Sequence, residues 1–179
     1  MEIQEIIKHC QDGNQVAQGF LFNKYYSQMF NLSMRVLSNY HDVEDVLIIS
    51  FHKVFKSIDK FEYRGENSLT KWIKTIIINE SVRFVKKKNM LSFENNQFEL
   101  DDYHTSNVEL DNVDTEQIYS IIENMPAGYR LVFNLFAIEG YTHKEISKML
   151  NISENTSKSQ LRKARLNITE KLNNNHYGN

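Results

Sequence analysis

Residues 140–168 read GYTHKEISKMLNISENTSKSQLRKARLNI, and this stretch gathers Asn155, Thr156, Lys158, Ser159, Arg162 and Lys163. Cations, hydroxyls and amides at this density suit recognition of a polyanion, with charge for phosphates and donors for base edges. Recognition needs those groups on one outward face, and the surrounding residues supply one. Thr142 caps a helix with Glu145 three positions on, the pattern of a capping box. That helix buries Ile146 and Leu150. Asn151 follows, a residue that tolerates the left-handed backbone of a tight turn. Ile152 tucks under the turn, and Ser153 caps a second helix that buries Leu161, Ala164 and Ile168. A small residue, Ser147, precedes the turn residue by four. The spacing is that of a helix-turn-helix whose second helix presents the six polar residues outward. Helical hairpins in protein cores share much of this pattern. Ser157 also departs from it, standing where the second helix usually buries an aliphatic side chain.

The charge distribution agrees with a polyanion partner. The net charge of −2 conceals a partition: residues 1–90 hold 13 basic and 10 acidic residues, residues 91–125 hold none and 9, and residues 126–179 hold 8 and 4. Two basic lobes flank an acidic connector, which also fits two solvated domains and a plain spacer.

The 179 residues suffice for one compact domain or two small ones, and 41% hydrophobic with 25% charged residues is ordinary for a globular chain. No apolar run approaches the roughly 20 residues that cross a bilayer. The N-terminus MEIQEIIKHCQDG does not resemble a signal peptide. Cys10 is the single cysteine, so no internal disulfide is possible and a cytoplasmic location is expected.

One proline and six glycines leave few breaks, so long helices are expected on either side of residues 91–114. A short helix spans 2–11 and DGN at 12–14 ends it. An amphipathic helix spans Gln15 to Leu37, with Phe20, Leu21, Tyr25, Phe30, Leu32, Met34, Val36 and Leu37 on its apolar side. His41 or Asp42 opens a third helix, VEDVLIISFHKVFKSI. After the loop DKFEYRGENS, Ser68 caps a fourth, LTKWIKTIIINESVRFVKKKN, with Asn67 a second candidate for the cap. Residues 91–114 are rich in Asn and Asp and read as a flexible linker. TEQIYSIIENM and AGYRLVFNLFAIEG are two further helices, turning at Pro126 and stopping at Gly140. The expected fold is all-α: a lobe over 1–90, a linker over 91–114 and a smaller helix-turn-helix lobe over 115–179.

LVFNLFAIEGYTHKEISKMLNISENTSKSQLRKAR resembles region 4 of bacterial sigma-70 family factors of the extracytoplasmic-function group, in wording closest to the Bacteroidetes branch. Residues 20–88 resemble region 2 of the same family through LFNKYYSQMFNLSMRVLSNYHDVEDVL, DKF and SLTKWIKTIIINESVRFVKKK. The resemblance implies a transcription initiation factor without a catalytic site or cofactor. It implies core RNA polymerase (beta and beta-prime subunits) and promoter DNA as partners, with an anti-sigma or other regulatory protein as a further one.

The resemblance also assigns residues. Asp42, Glu44, Asp45 and Phe51 match the helix that packs on the polymerase beta-prime coiled coil, although the carboxylates also suit their own helix dipole. Ile48 and Ile49 stand where the family carries Gln and Glu, so this face is more apolar or is covered by another partner. Phe61 and Asn79 match a pocket for a flipped minus-ten base, and Ser68 lies in the same segment. Lys71, Lys74, Arg83, Lys86 and Lys87 match contacts to backbone phosphates. Trp72 is either a core anchor or a stacking platform. Lys158, Ser159, Arg162 and Lys163 fall on minus-thirty-five reading positions, Lys144 and Arg130 on phosphate contacts, and Thr156 offers a hydroxyl to phosphate at the helix N-terminus. The acidic linker resembles the family's connector through the RNA exit path.

Other classes fit less well. The histidines at 9, 41, 52, 104, 143 and 176 have no metal-ligand spacing. Asp42, Glu44 and Asp45 crowd one helix start without a His, so no metal is expected. There is no glycine-rich phosphate loop. A one-component repressor would use the same helix-turn-helix but leave region 2 unexplained. A sigma-like adaptor, with targeting delegated to a partner, draws on Ile48 and Ile49 alone.

Overall fold

The computed structural model describes residues 2–65, 67–88 and 115–176. The expected linker over 91–114 lies outside them. Among the described residues the chain is helical without a strand, and it divides into two compact units, Met1–Lys87 and Lys88–Asn179.

The first unit contains α1 (Ile3–Gln11), α2 (Gln15–Leu37), α3 (Tyr40–Ser57), a 3-10 turn (Ile58–Lys60) and α4 (Ser68–Lys87). Asn14 starts α2 by accepting from the Val16 and Ala17 N–H groups, at 2.9 and 3.1 Å. Asn39, not His41 or Asp42, starts α3: its amide oxygen accepts from the Asp42 N–H at 3.1 Å, and Tyr40 is already helical. A short amide at the cap position outcompetes a carboxylate three residues further in, which serves the helix dipole instead. Ser68 is likewise the first residue of α4 rather than its cap. Its hydroxyl donates back to the Gly65 carbonyl at 2.6 Å and accepts from the Arg64 N–H at 3.1 Å, while Lys71 N–H bonds the Asn67 carbonyl.

Aliphatic side chains fill this unit: Leu21, Met29, Val43, Val54, Leu69, Ile73 and Ile77 are fully buried. The helical spacing of α2 puts Phe20 on its apolar side, yet Phe20 is 51% exposed and lies outside the core.

The second unit contains α5 (Thr115–Glu123), α6 (Ala127–Phe133), a wider π-helical turn (Asn134–Ile138), α7 (His143–Leu150) and α8 (Glu154–His176). Gly140, at φ 77°, ends the third of these, in a conformation that glycine adopts without a Cβ penalty. Ile121, Ile122 and Met125 pack with Ala164 and Leu172, flanked by Tyr129, Phe133 and a half-buried Ile168.

Candidate polymerase and nucleic-acid interfaces

The helix-turn-helix has the geometry its residues dictate. Thr142 and Glu145 form the reciprocal capping box, and the Thr142 N–H reaches the Glu145 carboxylate at 2.8 Å. Bonds from the Thr142 backbone and hydroxyl hold that carboxyl below its usual pKa. Asn151 takes the left-handed conformation, at φ 57° and ψ 50°. Ser153 Oγ accepts from the Thr156 N–H at 2.9 Å and so caps α8.

Ser157, the position that departs from the pattern, is fully buried and has a specific partner. Its hydroxyl lies 2.9 Å from His143 Nδ1, and the imidazole stacks on Phe136 with centroids 4.4 Å apart. A hydrogen bond between the two helices thus occupies the place of an aliphatic contact. Burial, and next the Lys158 charge, lower the His143 pKa, against a smaller opposing effect of Glu154.

Along α8, Asn155, Lys158 and Arg162 recur at steps of three and four and share one face. Asn155 and Lys158 are exposed and Arg162 is half-buried. Arg165, absent from the sequence expectation, is exposed and follows Lys158 by seven; extending the same spacing by one turn would have found it.

Thr156, Ser159 and Lys163, the other expected reading residues of α8, make contacts within the unit. Lys163 sits over the Tyr129 ring, 5.8 Å from its centroid, so its ammonium is engaged within the unit. The Ser159 hydroxyl donates to the Thr156 carbonyl, and the Thr156 hydroxyl pairs with Ser153 Oγ at 2.8 Å.

Arg130 corrects the expectation of a phosphate contact. It is 5% exposed, and its Nη1 donates to the Glu123 and Met125 carbonyls, both at 2.9 Å. Those carbonyls close the end of α5, where helical partners have run out, and a guanidinium supplies the donors. Burial pulls its pKa down. Lys144, by contrast, is exposed.

In the first unit, Asp45, Ile48, Ile49 and His52 form an exposed ridge on α3, with Ile48 67% and Ile49 46% exposed. Asp42 and Glu44 are half-buried, and the Tyr40 hydroxyl bonds Glu44, which raises the phenol's pKa. Phe51 is 2% exposed, so it cannot itself meet a partner. Instead it belongs to a line of rings, Phe55, Phe51, Phe22, Tyr26, Phe30, Tyr40 and His41, with successive centroids 4.7–6.1 Å apart. The spacing of Phe22, Tyr26 and Phe30 was the available signal for this line.

On α4, Lys71, Thr75, Asn79, Arg83 and Lys86 are exposed and share a face, with half-buried Trp72 beside them. The Phe61 and Trp72 rings pack at 4.9 Å with a 40° tilt, both half-buried. Asn79 follows Trp72 by two turns, about 10 Å along the axis. Lys74 lies about 140° round the helix from Asn79, off this face, and Lys87 is exposed. Among the described residues no group of three His, Cys, Asp or Glu is placed to hold a metal, and no helix is long and apolar enough to cross a membrane.

Comparison with known proteins matches both units. The Sigma-70 region 2 profile covers residues 21–90, and the Sigma-70, region 4 profile covers residues 115–168. The Haemophilus influenzae protein named ECF RNA polymerase sigma-E factor is 24% identical, over 94% of each chain. Its namesake from Escherichia coli K12 is 22% identical, over 94% of this chain and 93% of the relative. The fold resembles that of RpoE in complex with the anti-sigma factor NepR from Bartonella quintana, at TM-score 0.53 and 17% identity over 87% of this chain and 96% of that one. It also resembles CnrH in complex with the cytosolic domain of CnrY, at TM-score 0.50 and 20% identity over 94% and 95%.

Proposed function

The chain belongs to the sigma-70 family, in its extracytoplasmic-function group, and is a sigma factor that binds RNA polymerase and initiates transcription; we propose that it divides this work among three helices. In this reading α3 docks on the polymerase through Asp45, Ile48 and Ile49, with Asp42 and Glu44 at its margin. Phe51 contributes from inside, by packing α3 on α2. The α4 face with Lys71, Asn79, Arg83, Lys86 and Lys87 binds the opened minus-ten strand. The Phe61–Trp72 pair offers a flat apolar wall for an unpaired base, and Asn79 an amide to read its edge.

Asn155, Lys158, Arg162 and Arg165 on α8 meet base edges and adjacent phosphates of the upstream element, and Lys144 meets phosphate. The observation that carries this assignment is the helix-turn-helix geometry, with Asn151 left-handed and the polar stripe of α8 outward. The lobes at 1–90 and 115–179 act as separate binding modules joined by an acidic connector. The chain catalyses nothing itself, requires no cofactor and works in the bacterial cytoplasm. The exposed Ile48 and Ile49 also suit an apolar regulatory partner that competes with polymerase, such as an anti-sigma protein.

The test is to reconstitute the chain with core polymerase and sequence the DNA that the complex retains. A two-part motif with fixed spacing is expected. Palindromic sites bound without polymerase would reject this function in favour of a repressor.

A further inference from the structure

We infer that Glu80 is a positioning residue, which fixes the nucleic-acid face of α4 against the polymerase-docking helix α3. The inference rests on the roles just proposed for those two helices and adds Glu80 and Lys53 to them. Glu80 follows the exposed Asn79 directly, yet its side chain is only 10% exposed. Lys53 of α3 reaches its Oε1 at 2.6 Å, and Arg83 Nη1 lies 3.6 Å from the same oxygen. One buried carboxylate is therefore shared by a cation of the docking helix and a cation of the nucleic-acid face.

Stability alone does not account for this choice. Removing the Glu80 carboxylate from water is costly even with a partly exposed Lys53, at 38%, beside it, and a well-packed apolar pair of similar volume holds helices together as well. A hydrogen-bonded ion pair differs in being short-ranged: moving Glu80 beyond the reach of the Lys53 ammonium leaves a buried carboxylate without its partner. The other buried positions of α4, among them Leu69, Ile73, Ile77, Ile78, Val82 and Val85, are mostly aliphatic. Burial of such side chains is non-directional and tolerates a small roll or slide of the helix. The 2.6 Å Lys53–Glu80 contact resists motions that carry Glu80 out of the ammonium's reach. A roll of α4 would carry Asn79 and Arg83 together away from a strand held on the polymerase. The second contact acts on Arg83 itself, whose side chain is 72% exposed and has Glu80 one turn back to orient it.

Three variants of the full chain separate positioning from bracing: Glu80→Gln, the exchange Lys53→Glu/Glu80→Lys, and Arg83→Gln. Each is measured for melting temperature, for affinity to core polymerase, and, at saturating polymerase, for permanganate reactivity of unpaired promoter thymines. Glu80→Gln is expected to keep polymerase affinity within a factor of about two while thymine reactivity falls several-fold. The exchange is expected to restore the melting temperature but not the reactivity, because the cation at position 80 then repels Arg83. Recovery of both by the exchange would overturn the inference and leave the pair a simple brace. So would wild-type reactivity in Glu80→Gln, or a loss of reactivity explained wholly by weaker polymerase binding. Wild-type reactivity in Arg83→Gln as well would instead reject α4 as the nucleic-acid face, a failure of the underlying reading.

Discussion

Replacing Ile48 and Ile49 by Gln and Glu introduces the polar pair that the family resemblance implies at these positions, and its effect follows from exposure. Ile48 and Ile49 are 67% and 46% exposed, so the two together show solvent about as much surface as one complete isoleucine side chain. Burying one such side chain gains roughly 1.5–3 kcal/mol, an upper range here because docking also orders the side chains involved. If polymerase covers both, the double variant weakens holoenzyme formation by about 10- to 150-fold. Neither side chain belongs to the core, so the melting temperature of the free chain stays within a degree or two. The assay titrates labelled chain with core polymerase and follows anisotropy, alongside thermal unfolding. Unchanged affinity would refute the reasoning, since polymerase would then leave the two isoleucines exposed. A fall in melting temperature matching the affinity loss would refute it differently, by making them structural.

Three further outcomes are expected. Asn79→Ala and Phe61→Ala preserve duplex binding but lose about 1–3 kcal/mol of open-complex stability, read as weaker permanganate reactivity; full reactivity in both removes the pocket. The His143 imidazole is neutral in the folded unit at a pH where the unfolded chain already takes a proton, so the unit loses stability as pH falls below about 6.5, toward the lowered folded pKa. Thermal unfolding between pH 7.5 and 5.5 should show this slope in the wild type and lose it in His143→Gln; an equal slope in both assigns it elsewhere. Arg130→Met leaves two carbonyls without their donor and costs about 2–4 kcal/mol of stability, whereas Lys144→Ala keeps stability, weakens all promoters alike and lowers the salt slope by about one unit. A stable Arg130→Met variant with uniformly weaker promoter binding would return Arg130 to the phosphate contacts.

The helices were legible because their signals are local. The Thr142–Glu145 box, the left-handed Asn151 and the Ser153 cap depend on residues within one or two turns, and the structure realises all three. The places of Arg130 and Phe51 are not legible in the sequence because their surroundings are tertiary. A guanidinium inside a helical segment reads as exposed until the unpaired carbonyls at the end of α5 are seen. Phe51 follows the exposed Ile48 and Ile49 closely, and only the packing of α2 shows it turned inward. Ser157 departs visibly from the helix-turn-helix pattern, but its reason, the His143 ring fourteen residues away, belongs to the angle between two helices. Glu80 and Lys53 are separated by 27 positions and carry no local pattern that pairs them.

The most direct test of sequence reading by α8 is selection from a randomised upstream element, using holoenzyme with wild-type chain, Lys158→Ala or Arg162→Ala. A bidentate contact to guanine discriminates by about 1–3 kcal/mol, so each variant should lose preference at one or two positions and keep the rest. Lys163→Ala, whose ammonium lies over Tyr129, should keep the wild-type motif. If all three variants return the wild-type motif unchanged, α8 does not read the promoter, and the assignment of upstream recognition to it is contradicted.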